Sequence, residues 1–362
     1  MRFALTDEQL MLRDALRGAL ARELPPARVR ACLERRDRAP MHALAAAQGW
    51  TGIGIPEHAG GQGGGVVEQA LLAEELGHAG APSSALIAGA LAARVLAGGG
   101  RSARDLLASL AAGERIVVLA ADAGSDAAGS ADTAGDRASG SVANVLAAPE
   151  AEIAVVTGGN SALGVDLADG GCTVRERALT DPGRSIGDLE LDDVPGVPLA
   201  GVAGPGDAAL LGATLIAAEA VGAAARLLDM TVEYASQREQ FGVPIGSFQA
   251  VGHMAADMLV EVETARSAVY HAAWALGAGD PGAATAVHTA KSYAVPAAAS
   301  VADKALALHG AVGFTWEHDL HLYLKRTHTA LALFGSASAH RERLAASLDL
   351  TASERVRLAK AT

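Results

Sequence analysis

The chain has 362 residues, half of them hydrophobic but only 3% aromatic, and a formal net charge of −12. That length allows two or three domains around substantial cores. The charge excludes a sequence-independent nucleic-acid binder, which relies on Lys and Arg to neutralise phosphates, so any anionic ligand must be met by local cations.

The amino terminus, Met1-Arg2-Phe3-Ala4-Leu5-Thr6-Asp7-Glu8-Gln9, lacks a basic-then-apolar signal pattern and reads as a capped helix start. Leu5, Leu10, Leu12, Leu16 and Leu20 recur at helical intervals and predict a helix over 5–24, ended by Pro25-Pro26. A second helix is predicted around 40–48, a glycine-dense loop over 52–65, and a helical block over 66–112. The loop's glycines follow no strand and match neither dinucleotide nor phosphate-loop spacing, so no chemistry is assigned to them. Cys32 and Cys172 are far apart, without companions at metal-ligand spacing, which suits a reduced, cytoplasmic protein.

From Ile116 short apolar runs alternate with Gly, Asp and Ser clusters, the pattern of strands joined by turns, and residues 195–206 read as a linker. Beyond Asp207 four long helical segments are predicted: 208–238, 247–278, 281–311 and 318–348. The apolar stretch 208–225 contains Glu219 and many small residues, which suits a buried bundle helix better than a membrane span. The expected fold class is α+β: an all-helical domain (1–114), a small central β-barrel-like domain (115–204) and a C-terminal four-helix bundle (205–362).

Two words carry chemistry. Arg238-Glu239-Gln240-Phe241-Gly242-Val243-Pro244-Ile245, followed by Phe248-Gln249, joins a permanent planar cation, suited to phosphate, to an aromatic ring and a tight turn. On composition alone Arg238 reads as a solvated helix end and Phe241 as a core plug. Leu308-His309-Gly310-Ala311-Val312-Gly313-Phe314-Thr315 supplies glycines that let backbone approach a ligand; its bland reading is a helix-helix turn. His318, Asp319 and His321 follow, but not in the order of a zinc-binding helix, and no metal is assigned.

In order and spacing the two words closely resemble the flavin-binding turns of acyl-CoA dehydrogenases, and the resemblance covers nearly the whole chain. It implies the same α-β-α architecture and FAD as cofactor. Arg238 would lie on the FAD pyrophosphate, with Gln240, Phe241 and Gln249 facing the cofactor. Gly310 and Gly313 would meet the pyrophosphate and adenosine of a neighbouring protomer's FAD, although Gly310-Ala311 replaces the adjacent glycines of most relatives. The resemblance also implies an oligomer, an acyl-CoA or related acyl-thioester substrate and an electron-transfer flavoprotein or similar acceptor. Gly124-Ser125-Asp126 survives from the family's substrate-side loop, which makes Ser125 a candidate thioester contact, whereas the family's Trp/Thr-bearing flavin strand has no aromatic counterpart in 141–149.

Desaturating an acyl thioester needs a carboxylate to take the α-proton, with a pKa raised by a dry site. The family's usual Glu position falls on Phe334 or Gly335, and its alternative position, counted back from Phe241-Gly242, falls near Gly212. Glu219 is the remaining candidate, set against its reading as a packing carboxylate paired with an Arg such as Arg226 or Arg266. Two functions follow: a flavoenzyme with an unconventional or borrowed base, and a half-site subunit of a heteromeric acyl-CoA dehydrogenase. The empty base positions favour the second, and a non-flavin helical scaffold stands as a third.

Overall fold

A computed structural model describes residues 4–121, 131–159 and 161–347. Helix α1 (Asp7–Glu23) opens on a capping box, in which Thr6 Oγ1 accepts from Gln9 N at 3.2 Å and Gln9 Oε1 accepts from Thr6 N at 3.0 Å. Pro25-Pro26 ends α1 as expected but also starts α2 (Pro26–Arg35), an element the sequence pattern missed; proline suits a first helical turn, where its missing N–H costs nothing. Next come α3 (Ala39–Ala47) and, in place of one block over 66–112, three helices: α4 (Val66–Ala79), α5 (Ser84–Leu96) and α6 (Arg101–Ala111).

Seven strands follow: β1 (Val117–Ala120), β2 (Ala131–Ala134), β3 (Arg137–Leu146), β4 (Ile153–Gly158), β5 (Ser161–Asp166), β6 (Cys172–Glu176) and β7 (Ile186–Pro198). Their order is β1-β4-β5-β7-β3-β2, with β6 also on β7. The long β7 pairs first with β3 and β6, then at residues 196–198 with β5, so one strand joins both halves of the sheet. Register shifts in β3 between Ala138 and Gly140 and between Val142 and Val145 add the bend that curls the sheet into a half-barrel.

The chain then enters a bundle of α7 (Gly206–Gln237), α8 (Gln249–Gly277), α9 (Ala283–His309) and α10 (Leu320–Ala330). A two-strand hairpin, β8 (Glu239–Gln240) and β9 (Val243–Pro244), links α7 to α8, and α11 (Ala337–Ser347) packs on α9. The expected last segment, 318–348, is broken between α10 and α11, where Phe334 (φ 55°) and Gly335 (φ 93°) are left-handed. Helix α7 is long and apolar enough to span a membrane by length and composition, and most of it is buried in the bundle. It lies directly on α4. A Cβ on Gly222 would collide with the Glu74 carbonyl, and one on Gly77 with that of Glu219, so only glycine permits this approach.

Candidate active site

A cavity of about 700 Å³ opens where α5, β1, β3, the start of α7 and α10 converge. Its walls are mostly Ala, Leu and Val, with Asn144, Thr180, Lys325, His328 and Thr329 as polar exceptions. None of its lining residues among those described is an Asp or Glu. Its size and apolar lining with few polar groups are those of small-molecule sites.

Phe334 lines this cavity, and its ring lies over Gly212: a Cβ added there would come within 2.6 Å of Phe334 Cδ1. The loop beneath is held from behind. Phe334 O is 2.8 Å from His340 Nε2, and His340 Nδ1 is 3.0 Å from His288 Nδ1. Burial pushes His340 down to about 4, so near neutrality it is an uncharged ring. With its Nε2–H given to Phe334 O, its Nδ1 is left to accept from His288. Lys291, fully buried, donates to Ala330 O at 2.9 Å and is lowered by burial to about 7.

Glu219 does not line the cavity. It is fully buried behind it and accepts from Ser83 Oγ, Arg184 Nη2 and, at 2.8 Å, Arg326 Nη1. Arg326 Nε also donates to Asp181 Oδ2 at 2.6 Å, and its Nη1 to Ala81 O at 2.9 Å. Burial alone would push the Glu219 and Asp181 pKa values up, but Arg184 and Arg326 hold both below the ordinary carboxylate range. This network ties together the start of α5, the loop before β7, and helices α7 and α10.

Near the far end of α7, four residues before Arg238, the helix meets the second sequence word. The Tyr234 and His309 rings stack with centroids 4.5 Å apart, bringing the ends of α7 and α9 together. Gln240 pairs with Val243 across a two-residue turn in which Phe241 (φ 55°) and Gly242 (φ 80°) are both left-handed, as a type I′ hairpin requires. Arg238, Gln240 and Gln249 are exposed, and the Phe241 ring is 94% exposed with Phe248 6.2 Å away, edge-on. Gly310 (φ 62°) is exposed, with open space where a Cβ would sit. Gly313 is different: it is buried, and a Cβ there would press on Leu306 at 3.0 Å and His309 at 3.2 Å, so its smallness serves packing. Ser125 lies outside the described residues.

Residues 6–114 match the N-terminal domain of acyl-CoA dehydrogenases and residues 208–348 match the C-terminal domain. The acyl-CoA dehydrogenase IpdE2 of Mycobacterium tuberculosis is 34% identical over 333 residues, covering 91% of this chain and 94% of that protein. The chain belongs to the acyl-CoA dehydrogenase family. A chain of the ChsE4-ChsE5 complex from Mycobacterium tuberculosis superposes with a TM-score of 0.85 at 31% identity, over 97% of this chain and all of that one. A glutaryl-coenzyme A dehydrogenase in complex with glutaryl-CoA gives 0.85 at 26% identity, over 95% and 96%. Membership makes the chain part of a group of flavoprotein oxidoreductases acting on acyl-CoA.

Against that family, Glu219 is corrected from candidate base to structural anion, because a carboxylate held by two buried guanidinium groups resists protonation near working pH. Its partners are Arg184 and Arg326 rather than Arg226 or Arg266; Arg266 instead binds Glu74 at 2.8 Å. Fit to FAD differs between the cofactor's two ends. The exposed Arg238 and Gln240 and the open Gly310 suit its phosphates and adenosine. Among the described residues of the cavity wall, Ala143, Val145 and Leu146 leave Asn144 as the one side-chain amide for a flavin ring. Sequence reasoning missed Tyr234, Arg184 and Arg326; Arg326 sits beside Lys325 in a mixed polar and apolar run, which gave no local sign that it is buried on a carboxylate.

Proposed function

We propose that the chain is the half-site subunit of a heteromeric acyl-CoA dehydrogenase. The assembly carries out FAD-dependent α,β-dehydrogenation of an acyl thioester, and this chain contributes FAD contacts without supplying the base. One observation carries the reading: Phe334, which with Gly335 falls on the base position the family resemblance implies, is packed on Gly212, near the alternative position, as aromatic ring on bare backbone. Bound FAD would supply the hydride acceptor. The chain's own share is to hold phosphate with Arg238, present Phe241 and Gln240, and keep water out of an apolar cavity.

Helix geometry supports the division of labour. Arg238 lies 26 residues beyond Gly212 at the end of the same helix, about 39 Å away at 1.5 Å per residue. A dinucleotide with its flavin over the Gly212–Phe334 floor cannot reach this chain's own Arg238, so that guanidinium serves a site on another chain. The fold's likeness to a chain of a complex between two different proteins, ChsE4 and ChsE5, accords with a homologous partner. A reduced cytoplasmic setting accords with two free cysteines.

The test is the visible spectrum of the purified chain. A colourless protein that turns yellow only when mixed with a homologous dehydrogenase chain is the expected result. Stoichiometric flavin on this chain alone, bleached by an acyl-CoA, overturns the proposal in favour of a complete enzyme with an unconventional base.

A further inference from the structure

Among the described residues the three most exposed large hydrophobic side chains are Phe241, Phe314 (73%) and Trp316 (66%). The chain has only 12 aromatic residues of the Phe, Trp and Tyr types, and Trp50 is buried, so exposing these three is a costly use of them. Phe241 belongs to the hairpin already discussed. Trp316 stands three residues past Gly313, and its surroundings hold it in place. Arg30, reaching from α2, donates from Nη1 to Trp316 O at 2.8 Å and from Nη2 to Glu317 O at 3.1 Å, and pairs with Asp319. The indole ring has His321 edge-on at 4.8 Å and Lys325 Nζ 4.4 Å from its centroid. An indole gripped at its backbone, its edge and by a cation, yet two-thirds exposed, is pre-organised for a planar partner.

We infer that Trp316, positioned by Arg30 and Lys325, is the stacking platform for the purine ring of a nucleotide whose phosphates lie at the Gly310–Phe314 turn. The inference rests on the FAD reading above and adds the residue that recognises the adenine. Three features favour a purine over a neighbouring protein surface. The platform follows the open Gly310 (φ 62°) by six residues in the same turn segment, where backbone can meet phosphate. Lys325 sets an ammonium charge over one face of the indole, leaving a base to stack on the other, in a chain of net charge −12. The ring is fixed by three separate elements, α2, the 310–319 turn and α10, which an adaptable protein contact does not require.

The full-length chain, alone and mixed with its homologous partner chain, is titrated with ADP, FAD and inorganic pyrophosphate while tryptophan fluorescence is followed. ADP and FAD should quench emission, and pyrophosphate should not. Trp316→Ala should abolish that quench and weaken ADP and FAD by about tenfold, the scale of base-on-aromatic stacking, with pyrophosphate affinity unchanged. Arg30→Ala should weaken both less and leave the melting temperature near wild type. Wild-type FAD binding with equal affinity in Trp316→Ala overturns this inference and spares the FAD reading. A Trp316→Ala chain that binds nucleotide normally but no longer assembles assigns the indole to a subunit contact and also overturns it. Failure of wild type, alone and mixed, to bind either nucleotide overturns both.

Discussion

The Phe334 ring occupies the space a Gly212 side chain would need, approaching an ideal Cβ there to 2.6 Å at Cδ1. Gly212→Ala therefore forces a ring on the cavity floor to move, and overpacking of this kind costs about 1–3 kcal/mol. Phe334→Ala should restore part of that loss when added to Gly212→Ala. Urea unfolding of both single variants and the double gives the coupling; simple additivity would show that the two residues do not share this space.

The Arg326 fork holds Glu219 and Asp181 together, and removing it leaves Asp181 without its ion-pair partner and Glu219 with Arg184 alone. Arg326→Met is expected to cost about 3–5 kcal/mol at neutral pH, the usual penalty for breaking a buried pair from one side. The pH dependence has a definite sign. Both carboxyl pKa values lie below their ordinary 4.5 and 3.8 in the folded chain, so the network's contribution is complete above those values. It is lost as pH falls through the lowered ones, because the unfolded chain then binds more protons. Unfolding midpoints measured from pH 6 downward should fall steeply in wild type and less steeply in Arg326→Met.

The two words proposed to meet flavin stood out because each lies in contiguous residues, 238–249 and 308–315, whose turns the structure places in the hairpin after α7 and the turn after α9. Long-range partners did not. Glu219 meets Arg184 and Arg326, 35 and 107 residues away, and nothing local marks either over Arg226 or Arg266. Pro26 illustrates a second limit: the same residue that stops α1 is well suited to begin α2, and periodicity alone reports only the stop. The break between α10 and α11 depends on a phenylalanine with positive φ, which is rare enough that Gly335 was the only cue. The proposed sharing of a site between chains, which the resemblance already implied, gains a second support from the length of α7, with the cavity near its start and Arg238 at its end.

Lys291 is an ammonium site folded into a place that prefers the free amine. Its pKa falls to about 7 by burial, against 10.5 when exposed. Between those values the unfolded chain carries the proton and the folded chain does not, so stability should rise as pH increases from 7 towards 10. Lys291→Met should flatten that rise, and near neutral pH it should be stabilising or neutral despite leaving Ala330 O without its donor. Chemical denaturation of wild type and variant at pH 7 and pH 9.5 checks this. Parallel pH profiles would show that Lys291 is charged in the folded chain.

Arg238 separates a binding role from a structural one, because its side chain is exposed while its backbone N–H closes α7 on Tyr234 O at 2.8 Å. Substitution of the side chain leaves that bond intact, so Arg238→Ala should unfold within about 0.5 kcal/mol of wild type, as surface changes do. If the guanidinium holds a pyrophosphate on another chain, the same substitution removes a charged hydrogen bond of about 1.5–3 kcal/mol, a tenfold or greater loss of FAD affinity in the mixed assembly. Arg238→Lys keeps the charge but not the planar fork, so it should recover only part of the affinity. Flavin retained per assembly after gel filtration is the measurement. Full retention by Arg238→Ala would mean that the exposed guanidinium contributes nothing to cofactor binding.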